Sequence, residues 1–232
     1  MKLLLMAEGK VGMKITEWLL DKYRNDVKTI VTIAPNEIEF LALSRGVCGK
    51  IEGDYDLGIC AWWPKIIKEP LRNLPKHGFI NTHPSFLPYN RGKHTNFWAI
   101  VKGEPFGVTI HMIDKGIDTG AIIAQEAISF DWTDTGETIY KRVQKAMVRL
   151  FKATYPSLRK LNFSWVKQDL SRGSFHKAKE LEMASWIKLD TLYTGRELLN
   201  LLRARTFTGY PACWFEDNGK KYEARIEIKR EG

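Results

Sequence analysis

Phe79-Ile80-Asn81-Thr82-His83-Pro84-Ser85-Phe86-Leu87-Pro88-Tyr89-Asn90-Arg91-Gly92 is the stretch around which the chain is organised. It opens as the tail of a short buried strand, Gly78 to Thr82, and turns into a loop that two prolines and a glycine keep out of helix and sheet. On an extended backbone Asn81 and His83 project to the same side. An amide that donates two hydrogen bonds and an imidazole that exchanges a proton therefore arrive together at a strand end. Open α/β sheets bind ligands at the carboxyl ends of their strands. The stretch reads as an active site.

Upstream, Lys2 to Met6 reads as a buried strand and Val11 to Tyr23 as a helix, with Val11, Ile15, Trp18 and Leu19 at helical spacing. Between them, Gly9-Lys10-Val11-Gly12 resembles the opening of a nucleotide-binding fold but lacks the full G-x-G-x-x-G signature. It either holds a phosphate or is a plain turn. Val27 to Ile33 is a second strand, Glu37 to Ser44 a helix that Gly46 ends, and Asp56 to Ala61 a third strand running into Trp62-Trp63-Pro64. The two tryptophans either wall a pocket for a flat ring or cover the edge of the core. Pro70 to Leu74 reads as a short helix.

Downstream, His94 to Lys102 forms a helix, Gly107 to Ile113 alternates as a strand, and Ala121 to Ala127 is the next strand after the loop Asp114 to Gly120. Asp134 with Glu137 reads as a capping box opening a long helix whose apolar face is Ile139, Val143, Met147, Leu150 and Phe151. Near Leu161 the alternation stops. The polar stretch Ser171 to Ser174 leads to a second capping box, Thr194 to Glu197, and a helix through Arg205. Asn218-Gly219 between two alternating runs signals a hairpin. The pattern predicts a doubly wound, Rossmann-like, mostly parallel α/β domain over residues 1–160, with a helix-plus-hairpin module over 161–232.

The chain has 232 residues, 44% of them hydrophobic, enough for one sizeable core. No stretch approaches the roughly 18 apolar residues of a membrane span, and Glu8 and Lys10 end the N-terminal apolar run too early for a signal peptide. Three unpatterned cysteines, Cys48, Cys60 and Cys213, suggest a reducing cytoplasm without a disulfide framework. The net charge of +9 fits an anionic partner (a nucleotide, a polyglutamylated cofactor or RNA) or a lysine-rich solvated surface. Charge alone decides nothing.

Asn81, His83 and Asp118 come from two different strand ends or loops, as catalytic groups on α/β sheets do. Such an amide stabilises an oxyanion, the imidazole moves a proton, and a carboxylate holds that imidazole protonated or orders a relaying water. Ser85 lacks the flanks of a nucleophile elbow, so direct transfer between two bound molecules is expected over a covalent intermediate. His83, His94 and His111 show no metal-ligand spacing, and no metal is expected.

Asn81-x-His83-Pro84-Ser85-x-Leu87-Pro88, Arg91-Gly92, Gly107-Val108-Thr109-Ile110-His111 and Asp118-x-Gly120-x-Ile122-Ile123-x-Gln125 together resemble the 10-formyltetrahydrofolate-dependent formyltransferases. That family includes glycinamide ribonucleotide transformylase, methionyl-tRNA formyltransferase and the nucleotide-sugar N-formyltransferases. The resemblance implies Asn81, His83 and Asp118 as catalytic residues. It implies a folate pocket at Trp62, Trp63, Pro64, His111, Gly116 and Ile117, with N10-formyltetrahydrofolate as cosubstrate. Ser85, Tyr89, Asn90, Arg91 and His94 are expected to meet the acceptor, Arg91 being the best anion partner.

The glycine-rich phosphate signature of the glycinamide ribonucleotide enzymes is missing, and the tail after the long helix is short for the tRNA enzymes' β-barrel. Pro88 to Gly92, Glu197 to Phe207 and Gly209-Tyr210-Pro211 resemble the sugar N-formyltransferases acting on dTDP-4-amino or dTDP-3-amino dideoxyhexoses. This implies a cytoplasmic enzyme feeding surface-polysaccharide synthesis, with a nucleotide-sugar partner, no nucleic acid or membrane, and a possible homodimer through the C-terminal region. A truncated tRNA formyltransferase and a non-catalytic folate- or nucleotide-binding protein are the alternatives. Trp214 stacks on a base or packs the hairpin.

Overall fold

A computed structural model describes residues 1–33 and 35–232. Six strands form the central sheet: β1 (Leu3–Ala7), β2 (Val27–Val31), β3 (Leu57–Ala61), β4 (Phe79–His83), β6 (Gly107–Met112) and β7 (Ile122–Ala127), with a two-residue β5 (Arg91–Gly92) outside it. Their order is β2-β1-β3-β4-β6-β7. The first four run parallel, whereas β6 is antiparallel to both β4 and β7. The mostly parallel α/β sheet expected from the sequence is present. β1 is buried along its whole length, which is why it reads as a continuous apolar run rather than an alternation.

Helices α1 (Gly9–Lys22), α2 (Glu37–Ser44), α3 (Thr95–Lys102) and α4 (Gly136–Arg159) contribute to the large core on one face, where Leu3, Leu5, Ile59 and Ile80 meet Ile15, Ile100, Val143 and Phe151. The opposite face is closed by Tyr55 and Ile67 over Leu4, Met6 and Phe79. No described helix is long and apolar enough to cross a membrane.

Two local readings change. Asp134 does not cap α4: its carboxylate is taken by Arg142 at 2.7 Å and by the Thr138 hydroxyl at 2.8 Å. Thr135 is the cap, in a capping box with Thr138, and Glu137 turns instead to Lys141 and Thr208. At the other end of the chain's first crossover, Glu8 caps α1. Its carboxylate accepts from Gly9 N at 3.4 Å, Ile33 N at 3.2 Å, the Thr32 hydroxyl at 3.1 Å and the Asn36 amide at 3.0 Å. An internal anion already occupies the place a phosphate would take. The plain-turn reading is the one the geometry favours.

The polar segment after α4 folds back onto the sheet rather than leading away from it. β8 (Phe175–His176) pairs parallel with β5. Beyond a short α5 (Glu180–Ala184), α6 (Gly195–Arg205) opens with the expected Thr194/Glu197 capping box and packs against α3 and α4. The hairpin β9 (Cys213–Asp217) and β10 (Lys220–Ala224) turns at Asn218-Gly219, as expected. Trp214 stacks on Trp186 at 5.4 Å and 4°, with Lys221 Nζ 4.0 Å from its ring centre, so its role is packing.

Candidate active site

β3 and β4 end side by side, at the carboxyl edge where ligands bind in such sheets. The Thr82 hydroxyl accepts from Trp62 N at 2.8 Å and donates to the Cys60 carbonyl at 3.2 Å. These bonds hold Trp62 at φ 59, a left-handed conformation a bulky residue rarely adopts unaided. Asn81 and His83 share one face of β4. The antiparallel register with β6 sets His111 opposite Asn81 and Thr109 opposite His83, and opposed residues share a face.

Asp118 enters from the β6–β7 loop at φ 54. Gln168 fixes that loop by donating to the carbonyls of Asp118 at 2.9 Å and Gly120 at 2.7 Å. A side chain at Gly120 would strike the Met112 carbonyl. The loop is thus clamped on both sides. Asp118 Oδ1 lies 3.5 Å from His83 Nδ1 and 3.6 Å from His111 Nε2, and its Oδ2 accepts from Gly92 N at 3.0 Å. The Asn81 amide nitrogen lies 3.3 Å from His111 Nε2 and 3.5 Å from Asp118 Oδ1.

Burial drives the His111 pKa down to about 4, against the opposing pull of Asp118, so this ring is neutral. Its Nδ1–H donates to the Met112 carbonyl at 2.8 Å, leaving a lone pair on Nε2 to receive the Asn81 amide. Burial pushes the Asp118 carboxyl up, but His83, His111, the Gly92 N–H and Lys93 together outweigh it, and the group stays below the usual carboxylate range. Both ring nitrogens of His83 face acceptors, Asp118 on one side and the Asn90 carbonyl at 3.4 Å on the other.

These groups floor a cleft of about 510 Å³, inside the size range of small-molecule sites. Trp62, Trp63, Pro64, Gly116 and Ile117 line it, as does His94, along with Asn81, His83, His111 and Asp118. Ser85, Tyr89, Asn90 and Arg91 lie outside the lining. Ser85 and Asn90 are fully buried beneath the loop, and Arg91 turns toward the Phe175 ring, 6.0 Å away. The expectation that these four residues face the acceptor has no counterpart in the cleft.

The sequence reading missed one wall altogether: Phe175, His176, Lys177 and Ala178, with Lys93, Asn96 and Tyr140. His176 stacks on Trp98 at 4.0 Å and 10°. Burial lowers its pKa, and does the same at His94, where Arg205 and Lys93 add to the effect. The Lys93 ammonium donates to the Pro64 carbonyl at 3.3 Å, bridging the two sides of the cleft. Only the pairing of β8 with β5, invisible to local pattern, brings Phe175 and His176 here.

Fold and cleft define an α/β protein with a mostly parallel sheet and an acid–base cluster beside the carboxyl ends of β3 and β4. Residues 51–154 match the family model described as Formyl transferase, and residues 180–230 match the N-formyltransferase dimerization C-terminal domain. The chain belongs to the formyl transferase family. The dTDP-4-amino-4,6-dideoxyglucose formyltransferase of Mycobacterium tuberculosis is 31% identical over 153 residues, 66% of this chain and 65% of that protein. Methionyl-tRNA formyltransferase of Thermodesulfovibrio yellowstonii is 37% identical over 149 residues, 64% of this chain and 47% of that protein. A 4-N formyltransferase from Francisella tularensis superposes with a TM-score of 0.83 at 25% identity, covering 99% of both chains. This chain thus spans less than two thirds of the curated relatives it matches.

Proposed function

We propose that the protein transfers the formyl group of N10-formyltetrahydrofolate to the amine of a nucleotide-linked amino sugar. The observation that carries the reading is the convergence of Asn81, His83 and Asp118 on one cleft of small-molecule size. The likeness to a dTDP-4-amino-4,6-dideoxyglucose formyltransferase supports the acceptor class. Two relatives named for 4-N chemistry favour dTDP-4-amino-4,6-dideoxyglucose over the 3-amino isomer.

The cleft suits a pterin. Trp62, Trp63, Cys60, Ile67, Ile113 and Val143 supply apolar walls, and Asp114, Gly116 and Ile117 complete the lining. When bound, the folate supplies an electrophilic formyl carbon. His83 and the Asn81 amide then face the oxygen that becomes negative as an amine attacks, and donate to it. The Asn81–Asp118 contact, at 3.5 Å, is long enough for an oxyanion to displace. Asp118 orients His83 through this step and takes the proton the amine releases, directly or through a water. Passed on to N10, that proton lets the bond between N10 and the formyl carbon break and tetrahydrofolate leave. His111 stays neutral and keeps the Asn81 amide in place. Lys93 and Lys177 give the opposite wall a positive lining for a diphosphate.

We also propose a homodimer through residues 180–230, where Leu192, 99% exposed, and Met183, 64% exposed, are apolar surface in need of cover. Light scattering should give twice the 26.8 kDa chain mass. A monomer at micromolar concentration would remove that assignment.

The deciding assay mixes the protein with N10-formyltetrahydrofolate and a panel of amino-sugar nucleotides, read by mass spectrometry. One added formyl group on a dTDP-amino sugar is expected. Formylation of methionyl-tRNA alone would move the chain to the other branch of its relatives, with the +9 charge then serving the acceptor stem.

A further inference from the structure

His83, His111 and Asp118 each offer one ligand atom, and the three atoms lie within 4.8 Å of one another. Bonds of about 2.0–2.1 Å in a tetrahedral metal centre place neighbouring ligand atoms about 3.3–3.4 Å apart. Two sides of the triangle are already close to that value: 3.5 Å from His83 Nδ1 to Asp118 Oδ1, and 3.6 Å from His111 Nε2 to the same oxygen. The third side closes if the two rings tilt toward each other by less than about an ångström each.

The surroundings of each ligand are those of a metal site. A ligating histidine presents one nitrogen to the metal and commits the other to a carbonyl or carboxylate. His111 does so through Nδ1 on the Met112 carbonyl at 2.8 Å, and His83 through Nε2 near the Asn90 carbonyl at 3.4 Å. The second oxygen of Asp118 is held by Gly92 N at 3.0 Å. With His111 Nδ1 spent as a donor, its Nε2 lone pair faces a carboxylate oxygen, an arrangement of two acceptors that a cation between them relieves. Among the described residues only the Asn81 amide bridges them, at 3.3 and 3.5 Å. A half-turn of that amide would present Oδ1 as a neutral fourth donor.

We propose that His83, His111 and Asp118 form a binding site for a divalent transition metal of the zinc class, and that filling it switches off the acid–base cluster. Two imidazoles and one carboxylate suit zinc and cobalt rather than calcium or magnesium. Metal on His83 Nδ1 removes the proton-bearing nitrogen from Asp118, and metal on Asn81 removes the oxyanion donor. The metal is an inhibitor, not a participant. The binding half stands on geometry, whereas the inhibitory half rests on the formyl-transfer reading above.

The test titrates the full chain with Co²⁺ and follows the visible bands of a low-coordinate site. Expected is saturable uptake of one equivalent, displaced by Zn²⁺, and weakened at least tenfold in both His111→Gln and His83→Gln while exposed His77→Gln binds as wild type. Circular dichroism of each variant checks folding, and either folded variant suffices to decide. Bands that are absent, or that survive in a folded His111→Gln or His83→Gln, overturn the site. In the transfer assay, Zn²⁺ is expected to lower the rate at least tenfold, reversibly with a chelator. Binding without loss of rate overturns the inhibitory half. Absence of transfer from metal-free protein would overturn the formyl-transfer reading instead, since the cobalt bands need no substrate.

Discussion

Asp118 Oδ1 lies 3.5 Å from Nδ1 of His83, and the same carboxylate is tied to the main chain of the catalytic loop through Gly92 N at 3.0 Å. One side chain therefore ties the imidazole to the loop that follows it. Asp118→Asn keeps an oxygen for the Gly92 N–H but loses the charge. Turnover is expected to fall about 10²–10⁴-fold, with KM for either substrate changed little. A drop confined to KM in steady-state kinetics would reassign Asp118 to binding.

Asn81 stands between a neutral histidine and a carboxylate, so its amide nitrogen points into the acid–base cluster. Removing an oxyanion donor costs about 10²–10³ in kcat, and Asn81→Ala is expected to do that in a folded protein. Asn81→Asp should be worse, because a second carboxylate opposes both Asp118 and the developing oxyanion. The kcat of the two variants, compared at one pH, checks the order.

The His111 environment makes stability depend on pH. Its folded pKa, about 4, lies below the ordinary 6.5, so between those values the unfolded chain binds a proton the folded one refuses. Stability therefore rises with pH across that window and is lost as pH falls through it. The full loss at this site is about 3 kcal/mol. Asp118, also lowered, adds a loss in the same direction once pH drops below the ordinary carboxylate value. Urea midpoints at pH 7 and pH 4.5 should show the difference, with a shallower dependence in His111→Gln.

How much of this was open to a reader of the sequence depends on the range of the interaction. Period-two alternation placed Asn81 and His83 on one face, and buried apolar runs marked β1 and β3. The neighbour of Asn81 was hidden, because nothing local says that β6 runs antiparallel and sets His111 opposite it. The Phe175–Ala178 wall was hidden for the same reason, its place being set by two residues of pairing to β5. Glu8 looked like the residue that ends an apolar run, yet it seals the first helix with four hydrogen bonds from as far away as Asn36. Arg91 followed the anion logic of its type, but strand pairing turned it away from the cleft. Side-chain chemistry was legible, and direction was not.

Gln125 supports the loop after β4 from a distance. Its amide nitrogen donates to the Leu87 carbonyl at 2.7 Å and to the Thr109 hydroxyl at 2.9 Å. That hydroxyl in turn donates to the Ser85 carbonyl at 2.7 Å and accepts from Leu87 N at 3.2 Å. The loop's main chain, which cannot pair within a sheet, thus finds its partners in two side chains of β6 and β7. Gln125→Met fills the same space without a donor and leaves the Leu87 carbonyl unmatched, at a cost of about 1–3 kcal/mol. Gln125→Glu should cost more, since a carboxylate oxygen would face that carbonyl. At about 2–4 °C of melting temperature per kcal/mol for a chain of this size, calorimetry resolves both. Because the loop carries His83 and Asn90 past the cleft, transfer should slow several-fold in each variant at a temperature where it is still folded. Unchanged melting in both would mean the loop is held by its prolines and packing rather than by this network.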